Sequence, residues 1–334
     1  IDGQGLGRVI SITCPSSDTL VTIDGFTIEG GDATGLGGPP AAIPAGEHNS
    51  LPGSMPPGSQ EMGDASSITE AASRVREHLG DIAARGLYPG GPDAYRAMVD
   101  RLDRLTSQAE QAQARSRPTQ ARPEQDPDCG GGIYSWNASL HVLNSKIWFN
   151  VASFENDAHG GGIFVGQAAR SGVKIADNVI ENNAASHYAD GLGGGLYLFQ
   201  SPGAVVEKNQ FLDNAASNGG LYGAGGGLYV DASTAVVVQS NHVERNTAHA
   251  SWACPPLGGG GNGGGAQFRR TDDAVVADNV FRDNLATLHC GSHGGGLYIY
   301  KASNLQLEGN DVIDNSGVLF QVYSDDFGGG LGID

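Results

Sequence analysis

Gly193-Gly194-Gly195-Leu196-Tyr197-Leu198-Phe199 is one copy of a phrase that recurs down the chain, and Asn214 follows its first glycine by 21 residues. Triads begin at Gly130, Gly160, Gly193, Gly225, Gly263, Gly294 and Gly328, and they are answered by Asn150, Asn183, Asn214, Asn246, Asn284 and Asn315. From Gly193 onward every triad-to-Asn distance is 21 residues, whereas the distance from Asn to the next triad runs from 10 to 17. A constant half and a variable half mark a stacked coil whose loops leave at one corner.

Within residues 193–224 the glycines suit a tight corner and Leu196–Phe199 reads as a strand. A Ser201-Pro-Gly203 turn, a second strand over 204–208, a corner at Asn209 and a short third strand over 210–212 follow. Asn178, Asn209, Asn241, Asn279 and Asn310 form one corner column, and the residues five later form the other. Stacked at strand spacing, roughly 4.8 Å, each amide reaches its equivalent in the next coil. Val21-Thr-Ile-Asp24-Gly-Phe26-Thr-Ile-Glu29 reads as a degenerate earlier coil, with Asp24 and Glu29 in the Asn columns.

Period-two alternation after each triad sends Ile133, Ile163, Leu196, Leu228 and Leu297 inward. It sends Tyr134, Phe164, Tyr197, Tyr229 and Tyr298 outward, with Gln267 as the exception, and Trp136, Phe199 and Tyr300 follow two residues later. Such a ladder is either a cross-strand stack or an exposed platform for sugar rings.

Between Glu29 and Gly130 the pattern stops. Gly and Pro dominate from Gly30 to Gly63. A capping box at Ser67 and Glu70 then opens a helix, and Pro92 opens a second whose apolar stripe includes Met98, Leu102 and Leu105. The expected organisation is a first β-helix stretch over 1–30, an insertion over 31–128 with a helical hairpin at about 67–115, and further coils over 129–334. The insertion occupies the corner of the other variable loops, which carry Asp157, His159, His187, Tyr188, Asp190, His249, His289, His293, Tyr323, Asp325 and Asp326. Stacking brings these into one strip where His and carboxylate can serve as acid and base.

The net charge is −18 with four lysines in 334 residues, which argues against nucleic acid or an anionic membrane surface as the partner. No apolar run of membrane-spanning length exists, so no membrane insertion of this segment is expected. The chain opens and closes in mid-pattern, as expected of a piece of a longer protein. Cys254 with Cys290, in consecutive loops, and Cys14 with Cys129, flanking the insertion, are candidate disulfides, which would fit an oxidising compartment. No Cys-x-x-Cys zinc spacing occurs, and no metal or cofactor is expected apart from calcium as an option for so acidic a chain. Asp272-Asp273 with Gly291-Ser-His293-Gly is similar to the Asp-Asp and Gly-His-Gly motifs of polygalacturonase-type hydrolases, although the acidic pair falls in the turn after the first strand.

The Gly-Gly-Gly-Leu-Tyr phrases alternating with Phe211-Leu-Asp-Asn214, Phe281-Arg-Asp-Asn284 and Val312-Ile-Asp-Asn315 resemble the repeats of chlamydial polymorphic outer-membrane proteins. They also resemble those of the wider group of bacterial right-handed parallel β-helix repeat proteins with the pectate-lyase-like superfold. The resemblance covers about residues 1–30 and 129–334. It implies an all-β solenoid, a right-handed parallel β-helix with an inserted α-helical hairpin, secreted or displayed at a cell surface and often adhesive. The expected partner is a polysaccharide or cell-surface glycan lying along the first sheet, with Trp136, Tyr197, Phe199, Tyr229, Tyr298 and His159 as ligand-binding residues. The alternatives are a purely structural surface protein and a polysaccharide lyase or glycoside hydrolase, for which Asp157, His187 and Asp190 are the candidate catalytic residues.

Overall fold

The computed structural model describes residues 1–14, 19–38, 127–250, 260–288, 291–318, 326–327 and 329–334. The helical hairpin expected over 67–115 lies outside them. Every strand in them is short, and all pair in parallel across coils. Each complete coil has five strands, two more than the repeat alone suggests; in the coil from residue 196 these are Leu196–Phe199, Val205–Glu207, Gln210–Leu212, Ala215–Ser217 and Tyr222–Ala224. Stacking generates sheets of eight, seven, seven, six and seven strands, named here the first to the fifth in the order the chain visits them. The register is strict: Leu196 sits beside Leu228, Tyr197 beside Tyr229 and Phe199 beside Asp231.

The core follows from the alternation. Leu196 and Leu198 of the first sheet, Val206 of the second and Phe211 of the third point inward and are fully buried, as are their equivalents in neighbouring coils. The two strands hidden in the variable half are poor in large apolar residues because they press on each other. A Cβ at Gly191, Gly223 or Gly261 of the fifth sheet would stand less than 2 Å from the carbonyl oxygen of Ala216, Ala248 or Ala286 of the fourth, so only glycine fits. The variable lengths fall between these two strands. Asp32 bridges Val151 of the fourth sheet and Asp128–Cys129 belongs to the fifth, so the insertion leaves and rejoins at that same point.

Both Asn columns form as expected. The Asn214 side-chain oxygen accepts from the backbone N–H and the side-chain N–H of Asn183, and its Nδ2 donates to the Ile180 carbonyl and to Asn246 Oδ1. All four hydrogen bonds of a buried amide are thereby satisfied. Two details differ from the sequence reading. The left-handed residue at each corner is the one before the Asn, such as Lys208 at φ 54°, Arg245 at 54° and Phe149 at 51°, which frees the Asn side chain to point inward. In the first coil the column positions fall to Phe26 and Gly31, whose N–H groups donate to Ser145 Oγ and Asn150 Oδ1, two residues beyond Asp24 and Glu29.

Candidate functional site

At each triad the first glycine adopts a left-handed conformation, φ 64° at Gly193 and 60° at Gly225, and the chain doubles back. The fifth sheet therefore walls the outer face of the first. Leu192 and Ala224, immediately before their triads, cluster with Tyr134, Phe164, Tyr197, Phe199 and Tyr229 in a second apolar layer outside the solenoid core. The outward aromatics are consequently not exposed: Tyr197 is 0%, Tyr229 1% and Tyr298 1% accessible. Tyr197 meets Tyr229 edge-on at 5.0 Å, and Trp136 stacks between Phe164 and Phe199 at 6.3 and 6.5 Å. The ladder is a packed stack, and the exposed platform of rings is corrected accordingly; Trp136 and Tyr300, at the ladder's far edge, stay partly exposed.

The elbow between the fifth and first sheets also gathers polar groups. The residue before each triad forms a register-matched column in the fifth sheet: Cys129, His159, Leu192, Ala224, Asn262 and His293. Two residues earlier, on the same face by alternation, stand Asp157, Asp190 and Tyr222 in successive coils. His159 is buried and lies edge-on to Tyr197 at 5.0 Å. Asp157 Oδ1 accepts the Asp190 N–H, and Asp190 Oδ1 accepts the N–H groups of Leu221 and Tyr222, each at 2.8 Å. Desolvation, the neighbouring Asp157 charge and only partial relief from those two N–H groups push the Asp190 carboxyl up to about 7. Desolvation moves Asp157 the same way, although part of it remains exposed.

His187 belongs to the loop before Asp190; its Nδ1 faces Asn218 Nδ2 at 2.9 Å, and its ring stacks on Phe154 at 4.7 Å. His249 is fully buried between the Gly220 carbonyl and Thr287 Oγ1, and burial lowers it to about 4, which makes it a neutral structural residue. His289 and Tyr323 lie outside the described residues. Further along the elbow Asn262 joins Tyr222 Oη at 3.0 Å to His293 Nδ1 at 3.1 Å. Asp231, buried without exposure, receives Arg270 Nε and Nη2 at 3.0 and 2.8 Å and Arg269 Nη1 at 3.4 Å. Asn218, Tyr222, Asn262, Asp231 and Arg269 escaped the sequence reading, although the column before the triads was legible as a fixed offset.

Other sequence candidates resolve as structure. Asp272 accepts from Ser303 N–H and Oγ, and Asp273 from Asn304, at the turn between the first and second sheets. This is a stacked turn, distant in the coil from His293. Cys14 and Cys129 are not joined by a disulfide. Cys14 lies beside Trp136 beyond one end of the first sheet, and Cys129 precedes the triad at the other. The strand Ile133–Trp136 between them holds them far beyond the ~4.4–6.8 Å that a bridge needs. Cys254 and Cys290 lie outside the described residues. Among the described residues no three His, Cys, Asp or Glu groups converge in a way that could hold a metal ion, and no helix is long and apolar enough to cross a membrane.

Parallel stacking, the Asn columns and the triad corner define the class. The chain belongs to the right-handed β-helix family, whose model, a right handed beta helix region, matches residues 128–328. No curated protein and no solved structure matches the chain.

Proposed function

We propose that this protein is a secreted or cell-surface β-helix that binds a glycan at the elbow between its fifth and first sheets and cleaves it there by acid–base chemistry at Asp157 and Asp190. The observation that carries this reading is the Asp190 carboxyl, which holds its proton up to about pH 7 one coil away from a second carboxyl. A carboxylic acid still protonated at neutral pH is the group that can protonate a glycosidic oxygen, while its ionised neighbour supports the cation-like transition state or attacks the sugar. His187, held by Asn218 and Phe154, shapes the loop from which Asp190 emerges.

The charge arrangement favours a neutral glycan over a uronate. Lyase action on a uronate needs cations aimed at the substrate carboxylate, but Arg269 and Arg270 are engaged by Asp231, and Lys174 by Glu207 at 2.9 Å. A non-catalytic adhesin is the second reading. It is favoured by the partly exposed Trp136 and Tyr300 at the edge of the aromatic stack, and by the likeness of the repeats to the chlamydial surface proteins.

Release of reducing ends from a panel of neutral and acidic polysaccharides tests the proposal. The wild type is expected to cleave a neutral glycan, with Asp190→Asn and Asp157→Asn each reducing the rate at least 100-fold at unchanged binding. Glycan retention without cleavage by all three proteins would support the adhesin instead, and absence of both would reject the glycan reading.

A further inference from the structure

The column Tyr134, Phe164, Tyr197, Tyr229, Gln267 and Tyr298 is aromatic at every position except Gln267. The fold gives no reason for an amide in this apolar layer. Gln267 is 2% exposed, its side chain bonds the Tyr222 hydroxyl, and its Oε1 has no hydrogen-bond partner. Two coils earlier Tyr197, with no exposed surface, buries a hydroxyl that also has no partner. Tyr229 stands between them in the register, and its phenol shares the field of Asp231 and Arg269 with that of Tyr197. An unsatisfied buried polar atom costs roughly 1–3 kcal/mol, and a phenylalanine or leucine would avoid that cost at either place.

We propose that Tyr197 Oη and Gln267 Oε1 form a recognition subsite for the hydroxyl groups of a neutral sugar residue, next to the Asp157–Asp190 pair along the elbow. This rests on the glycan reading given above. Gln267 Oε1 can only accept, so it takes a hydroxyl proton; Tyr197 Oη can donate to, or accept from, a second hydroxyl. The subsite is continuous with the carboxyl pair through one residue, since Tyr222 bonds Gln267 by its side chain and Asp190 by its N–H. Sugar hydroxyls would supply in the complex the partners that the protein alone leaves missing. A substrate lacking a hydroxyl at the matching carbon would leave both groups orphaned and be discriminated against strongly.

The test is calorimetric binding of xylose, glucose and mannose oligosaccharides to the wild type, Tyr197→Phe, Gln267→Leu and Asp190→Asn, with a thermal melt of each protein free of ligand. Because each conservative change at Tyr197 or Gln267 removes an orphaned polar atom, both variants should melt a few degrees higher than the wild type while binding the preferred oligosaccharide at least tenfold more weakly. Asp190→Asn should bind normally. Wild-type affinity in both Tyr197→Phe and Gln267→Leu, alongside lost cleavage in Asp190→Asn, would overturn the subsite and leave the glycan reading standing. Failure of the wild type to bind any of the three sugars would overturn both.

Discussion

At the scale of single residues the Asn columns and the elbow carboxyls use one device, a side-chain oxygen accepting N–H groups from an adjacent coil, with opposite electrostatic results. In the Asn column the amide also donates, so every group is matched. Asn214→Ala would strand the Asn183 N–H and Nδ2, the Ile180 carbonyl and Asn246 Oδ1, and should cost about 3 kcal/mol or more in urea unfolding. Asn315→Ala, at the last rung, should cost clearly less. A carboxylate in the same role can only accept, and a second one a coil away resists its ionisation. Because the folded-state value for Asp190, about 7, stands above the ordinary 3.8, its contribution to stability is complete below about pH 4 and is lost as the pH rises through 7. His249 acts in the opposite sense. Folded at about 4 against 6.5, it withholds stability as the pH falls from 6.5 towards 4, by on the order of 3 kcal/mol when fully expressed. The two slopes partly cancel in the wild type, so Asp190→Asn should melt higher at pH 8 and leave a melting temperature that only rises between pH 4 and 6.5.

At the scale of the strand and its neighbours, much was legible in the sequence and one step was not. The triad-to-Asn constancy gave three strands, both corners and the inward residues, because each is fixed by one local requirement of backbone or packing. The fourth and fifth strands escaped because their close approach admits only Ala, Ser and Gly, which have no apolar period to read. That omission propagated to the site: without a fifth sheet the outer face of the first looks solvated, and Tyr197, Phe199, Tyr229 and Tyr298 read as a platform. With it they are a packed layer. Tyr197→Ala together with Tyr229→Ala should therefore cost about 3–5 kcal/mol per ring and lower the melting temperature steeply. Gly223→Ala, which drives a Cβ into the Ala248 carbonyl, should cost about 3 kcal/mol or more or prevent expression of soluble protein. Circular dichroism melts of both variants check these outcomes.

At the scale of the whole molecule, a coil is a unit that touches its neighbours, and length variation is admitted where a coil is least constrained, between the fourth and fifth strands. The insertion obeys that rule. Gly38 and Pro127 are adjacent, a Cβ on the glycine standing 2.6 Å from the Pro127 carbonyl oxygen, so a short Gly-Ser linker replacing residues 40–125 closes the gap. That variant should keep the strand signal and the cooperative melt of the β-helix; aggregation with loss of the signal would make the insertion integral to folding. The same corner delivers Asp157 and Asp190 to the elbow, so variability and candidate chemistry share one strip of the solenoid. Function rests there on one physical statement: a carboxyl of this strip is still protonated at neutral pH. Carbon-detected NMR titration of the Asp190 side chain measures it directly. A midpoint near 7 that falls when Asp157 is replaced by Asn is the predicted result; a midpoint near 4, insensitive to Asp157, would contradict the account.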